Sequence, residues 1–206
     1  MPKTIIPGEN YCEVYVEPRH RFHLRNTYTN IYEIELPQDC FTQFHRHTED
    51  TVYFVIADAD VEESFLDKPT KLTSAAFGGT LCRSHHDEPL IHQVKNIGGN
   101  VMHMVGAEAL KRTPVRAAEP LSVEGYLQLW DSSRYRVYEV EASADPVPVT
   151  YDIYGLLVAL VETTLTIIGA SGVATVRLAP GCFVWVEPPM SLCLDRSFRG
   201  LFAEWI

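Results

Sequence analysis

Residues 31–63, IYEIELPQDCFTQFHRHTEDTVYFVIADADVEE, decide the reading of this chain. From Ile31 to Leu36 apolar residues alternate with Glu33 and Glu35. That is the period of a half-buried strand, because successive side chains of a strand project to opposite faces. Pro37 and Asp39 break the run as a turn, and TVYFVI restarts it with β-branched and aromatic residues. A second stretch, VYEVEASADPVPVTYDIYGLLVALVETTLTI at 137–167, lies on the first without a gap at an offset of 106 residues. A strand with alternating Glu, a Pro/Asp turn, a second strand and a long apolar strand follow in the same order. Likewise FGGTLCRSHHDEPL can be set against LAPGCFVWVEPPMSL, which aligns Gly79 with Gly181. The expectation is a duplicated β unit, against the competing reading that any two β meanders share such a pattern.

Outward from this repeat the same grammar continues. HQVKNI, NVMHMV, YRVYEVE, VATVRL and CFVWVE are short β-type runs separated by Pro, Gly, Asp and Asn, the spacing of an all-β sandwich or barrel. The longest apolar run, YGLLVAL at 154–160, suits a buried strand. EALKRTPVRAAEPLSVEG, from about 108 to 125, carries two prolines and little periodicity and reads as a linker. Residues 1–112 and 113–206 are therefore expected to be separate domains, each within the usual size range.

Composition excludes several classes. With 46% hydrophobic and 21% charged residues there is ample apolar volume for a core. A formal charge of −10 with no basic run argues against nucleic-acid binding, which needs clustered Lys and Arg. The five cysteines are odd in number and none forms a CxxC pair, so reduced cytoplasmic thiols are the simplest reading. The N-terminal MPKTIIPGENYCEV lacks the features of a secretory signal, and no apolar run is long enough for a membrane span. No GxSxG elbow, P-loop or GxGxxG is present, and FGGT and IGGN read as turns.

What remains is a histidine constellation. His45 and His47 are two residues apart and share a strand face, and His92 opens the strand HQVKNI after the turn-like DEPL. Three neutral imidazoles on one side of a cation leave positions open for water, substrate or oxygen, as a catalytic metal site requires. The competing reading is an H-x-H pair arising by chance among eight histidines, or lying on a solvated face. In the second half the two matches together put Tyr151, Ile153 and Leu194 where the first half has His45, His47 and His92, so that copy carries no imidazole there.

The combination resembles the two motifs of the cupin superfamily. The first, HxH followed after three or four residues by Glu and a strand, reads here as FHRHTEDTVYFVI. The second, a Gly, a Pro-containing turn, His, three residues and Asn, reads as GGTLCRSHHDEPLIHQVKN and ends in His92 and Asn96. The likeness covers residues of about 30 to 110. It implies an all-β, RmlC-like jelly-roll barrel, a double-stranded β-helix in two tandem copies: a bicupin whose second domain is degenerate. It also implies a divalent metal, Fe(II) first with Mn, Ni or Zn as alternatives, and a small-molecule substrate. Cupins with three histidines include dioxygenases for diketones and thiols, so oxygenation leads. An isomerase or lyase, or a non-catalytic ligand- or metal-binding cupin with a sensor or assembly role, are the alternatives, and a homodimer is open.

The departures from the pattern concern the fourth ligand. The usual Glu position falls on Thr51 or Val52. Glu49 has the parity of His45 and His47 if the strand continues, and Asp50 could enter through a turn, so the site has either three histidines alone or Glu49 in addition. ADAD replaces the Gly that ends the first motif, and DEP compresses the turn of the second. Asn96 is expected to satisfy loop backbone groups, and Tyr53 and Val55 to line the cavity or pack in the core. His85 and His86 read as a solvated loop, and His103 as a hydrogen-bonded interior residue. Cys82 and His92 make no convincing nucleophile pair. His20 and His23 look like an early edge strand without assigned function.

Overall fold

The computed structural model describes residues 10–114, 119–143 and 145–206. The chain falls into two compact units, Met1–Leu110 and Lys111–Ile206. The first contains β1 (Cys12–Glu13), β2 (His20–Arg25), β3 (Thr29–Leu36), β4 (His45–His47), β5 (Thr51–Val55), β6 (Ala59–Phe65), β7 (Lys71–Ala75), β8 (Thr80–Arg83), β9 (Leu90–Asn96) and β10 (Met102–Ala109). One sheet has the order β1-β4-β9-β6-β7 and the other β2-β3-β10-β5-β8. The alternation in the sequence sets which face of each strand is buried. Tyr32, Ile34 and Leu36 of β3 meet Val55, Val61, Met102 and Met104 in one buried cluster, each fully buried apolar side chain contributing about 1.5–3 kcal/mol. Glu33, Glu35 and His103 take the opposite face of the β3–β10 pair, where His103 Nε2 lies 2.7 Å from Glu33 Oε1. His103 is thus hydrogen-bonded, but on the face away from Met102 and Met104.

The second unit contains β11 (Tyr126–Asp131), β12 (Tyr135–Glu141), β13 (Val149–Tyr151), β14 (Gly155–Ala159), β15 (Thr163–Gly169), β16 (Gly172–Leu178), β17 (Phe183–Val186), β18 (Met190–Leu194) and β19 (Arg199–Trp205). Its sheets run β11-β12-β19-β14-β17 and β13-β18-β15-β16. Taken in chain order these reproduce β2-β3-β10-β5-β8 and β4-β9-β6-β7, so the duplication read from the sequence is present in the topology. The apolar run at 154–160 supplies β14, buried along its whole length because it lies between β19 and β17.

The gapless match survives in register as far as β13 and shortens before β14. Tyr32 and Tyr138 are equivalent, since Tyr32 pairs with Gly106 and Gly106 with Tyr53, as Tyr138 pairs with Phe202 and Phe202 with Leu157. Between Tyr32/Tyr138 and Tyr53/Leu157 the offset shortens by two residues. The shortening falls between β13 and β14: Tyr151 pairs with Met190 as His45 pairs with His92, and Leu165 pairs with Leu194 as Val61 pairs with Asn96. Tyr151 and Ile153 thus keep the places of His45 and His47, whereas Met190 rather than Leu194 stands in the place of His92. The linker is also shorter than expected, because β10 runs to Ala109 with Glu108 buried. Residues 115–118 of that linker lie outside the described residues. There is no α-helix among the described residues, and no helix is long and apolar enough to cross a membrane.

Candidate metal centre

β4 is only three residues long, and its alternation is buried–intermediate–buried. His45 and His47 turn into the barrel while Arg46 turns out to an ion pair with Glu13. β9 runs antiparallel to β4 with His45 opposite His92. The pairing converts three distant positions into one cluster, with ring centroids 4.7 Å apart for His45–His92, 4.8 Å for His45–His47 and 5.2 Å for His47–His92. One nitrogen from each ring lies within 4.8 Å of the others.

The hydrogen bonds sort the nitrogens. His45 Nδ1 is 2.8 Å from the Gln43 carbonyl, an acceptor only, so Nδ1 carries the proton and Nε2 keeps its lone pair. His47 Nδ1 faces Tyr53 Oη at 3.4 Å, whereas its Nε2 is buried with no hydrogen-bond partner, as is His92 Nδ1. Buried polar atoms are almost always paired, so orphaned nitrogens on clustered, buried imidazoles mark a candidate cation site. Burial, then the neighbouring imidazoles, pushes His45 and His47 well below the ordinary histidine pKa. Both are neutral at physiological pH, the state that binds metal. The donor set fits a divalent ion of the imidazole-preferring group.

The structure does not bring Glu49 into this cluster. β4 ends at His47, the chain bends at Glu49, and Thr51 Oγ1 donates to the Glu49 carbonyl, which ends the strand parity on which that expectation rested. The Glu49 carboxylate instead faces His86 Nδ1 at 3.8 Å. Asp50 serves the fold: its Oδ1 accepts hydrogen bonds from Ser84 Oγ and from the backbone N–H groups of His85 and His86, at 3.1, 2.9 and 3.0 Å. Those bonds draw the SHHDE segment inward, so His85 is buried rather than solvated, with its ring 5.3 Å from that of His47. Of the two histidines His86 is the exposed one, as the loop reading expected.

Further polar residues line the same cavity, among them His20, Glu63 and Arg83. His20 sits on edge strand β2, as its sequence suggested, but points inward; its ring is 4.7 Å from that of His45 and its Nδ1 is 3.3 Å from the Val14 carbonyl. Burial lowers its pKa to about 3. Glu63, from β6, places Oε2 3.7 Å from His92 Nδ1. Nothing local in PRHRFHLRN or DVEESF distinguishes either residue, because both arrive by long-range pairing. Tyr53 lines the cavity, and Val55 packs in the core. Asn96 is wholly buried, its Nδ2 donating to the Leu36 and Asn100 carbonyls at 2.8 and 2.7 Å, as a loop-fixing residue should. The cavity encloses about 70 Å³, space for about five water molecules.

A second group, Glu33, Glu35 and His103, lies on the outer face, but Glu33 is already paired with Arg21 and His23 and reads as an ion-pair network. The second unit has no such cluster among its described residues. All eight histidines precede residue 104, and in that unit Tyr151 instead hydrogen-bonds Tyr126 and packs on Phe202.

With the fold and cluster described, the solved structures it is similar to can be compared. The protein Ylba from E. coli superposes with a TM-score of 0.64 at 12% identity, covering 100% of this chain and 87% of that one. The fold is that of the cupin superfamily. A salicylate 1,2-dioxygenase variant from Pseudoaminobacter salicylatoxidans, in complex with gentisate, gives 0.63 at 9% identity, over 91% of this chain and 73% of that chain. AerE from Microcystis aeruginosa gives 0.59 at 10%, over 92% and 98%. No family model and no curated protein matches the sequence.

Proposed function

We propose that the first unit is a mononuclear metal site acting on a small molecule, with Fe(II) first among Fe, Mn, Ni and Zn, and with dioxygenase-like chemistry. The observation that carries this reading is the convergence of His45, His47 and His92 with orphaned nitrogens at the wall of a cavity. The ligand set is the three imidazoles, without Glu49. A bound divalent metal would supply Lewis acidity and, as iron, the means to activate O₂.

The rest is done by the chain. The Gln43 carbonyl fixes the tautomer of His45, and Tyr53 orients His47, the outer-sphere support that metal-binding imidazoles usually have. Apolar walls at Val61, Leu81 and Val94 limit water. His20 and His85, kept neutral by burial, add hydrogen-bonding capacity facing a small ligand. Five cysteines, none of them in a disulfide, suit a reducing, cytoplasmic setting. The fold likeness to a gentisate-bound dioxygenase is compatible with oxygenation.

The test is to purify the protein, quantify its metals, and repeat with His45→Ala and His92→Ala. Metal bound by the wild type and lost from both variants supports the site; unchanged occupancy in both removes it. Iron-loaded protein is then screened for oxygen uptake with diketones, thiols and catechol-like compounds. Turnover without oxygen uptake would move the reading to an isomerase or lyase.

A further inference from the structure

Arg83 and His85 form a second recognition element at the edge of the imidazole cluster, where the His85 ring lies 5.3 Å from that of His47. Arg83 ends β8, lines the cavity, and keeps a side chain 36% exposed. Its guanidinium has one carboxylate near it, Glu63 Oε1 at 3.8 Å, beyond hydrogen-bond distance, and makes no hydrogen bond among the described residues. Two residues on, His85 is 4% exposed and its Nε2 is buried without a hydrogen-bond partner. The three hydrogen bonds to Asp50 hold this short segment in place, so the pair is presented on a fixed backbone. A planar five-donor cation with unused donors beside an orphaned imidazole nitrogen matches the oxygens of a carboxylate. The apolar wall at Leu81, Leu90 and Val94 matches a short hydrocarbon body, and the cavity volume limits it to a few carbons.

We propose that the cavity binds a small aliphatic monocarboxylate, its carboxylate held by Arg83 and His85 and its other end directed at His45, His47 and His92. This rests on the cavity being the substrate site, and it names the substrate class. Glu63 faces both Arg83 and His92, so the incoming carboxylate takes over the Arg83 donors that Glu63 leaves unused.

Propionate is the probe, and propionamide, of equal size without the charge, is its control. Binding is measured by calorimetric titration of the full chain, as purified and after chelator treatment, for the wild type, Arg83→Lys, Arg83→Gln and His85→Gln. Propionate should bind the wild type at least tenfold more tightly than propionamide. Arg83→Gln should lose at least tenfold in propionate affinity, Arg83→Lys less, and His85→Gln should weaken propionate, with circular dichroism unchanged throughout. No propionate binding, equal binding of acid and amide, or unchanged affinity in Arg83→Gln would overturn the proposal. Metal content of the same samples separates the two readings. Arg83-dependent propionate binding without metal removes only the metal assignment, and metal-loaded protein that binds propionate independently of Arg83 removes only the carboxylate anchor.

Discussion

His45 and His92 are direct cross-strand partners on β4 and β9, with ring centroids 4.7 Å apart. Each of the two closes the site only because the other stands opposite it. A slip of one residue would put Ile91 or Gln93 in register with His45 and turn the imidazole of His92 to the other face.

Metal binding should therefore stabilise the first unit. A ligand that binds only the folded state at about one hundred times its Kd adds about 2.7 kcal/mol. Thermal unfolding with and without Fe(II) or Zn(II) should show an upward shift in the wild type and none in His45→Ala. A shift of equal size in both would place the metal elsewhere.

Tyr53 tests the outer support. Its hydroxyl lies 3.4 Å from His47 Nδ1 and 3.3 Å from the Tyr32 hydroxyl. Tyr53→Phe keeps the ring and removes those contacts, so metal affinity should fall by about tenfold while the fold persists. Competition with a chromogenic chelator measures it.

Gly106 is required by packing. A Cβ built there would lie 2.6 Å from Tyr32 Cε2, because Tyr32 is its cross-strand partner and lays its ring over the glycine. Gly106→Ala should cost about 1–3 kcal/mol by overpacking, and it should also weaken metal binding, since Tyr32 supports Tyr53. Denaturant unfolding reads the first effect and chelator competition the second.

Glu108 predicts a pH dependence. Burial raises its carboxyl from 4.5 to about 7, against the hydrogen bond donated by Asn30 Nδ2 at 2.7 Å. A raised folded-state pKa means that the native protein holds a proton the unfolded chain releases. This contribution is complete below about pH 4.5 and is lost as pH rises to about 7, with a slope of at most ~1.4 kcal/mol per pH unit. Glu108→Gln, which still offers Asn30 an acceptor, should flatten that window and gain stability relative to wild type at pH 8. Parallel pH profiles for the two proteins would remove the assignment.

Period-two patterning by itself determined much of this protein. The alternation in IYEIEL, the apolar run at 154–160 and the recurrence of both fixed an all-β duplicated fold. H-x-H on a strand fixed that His45 and His47 share a face, because a strand's side-chain direction is a local property of its backbone. Tertiary structure decided the rest. Glu49 left the site because the chain bends after His47, and His85 entered it because Asp50, distant in sequence, captures its backbone. His20, Glu63 and Arg83 reached the cavity through strand pairings that no local pattern encodes. Register between distant strands put Met190, not Leu194, in the place of His92 in the second unit. Strand faces follow from neighbours in sequence, but register and loop closure follow from hydrogen bonds between distant residues.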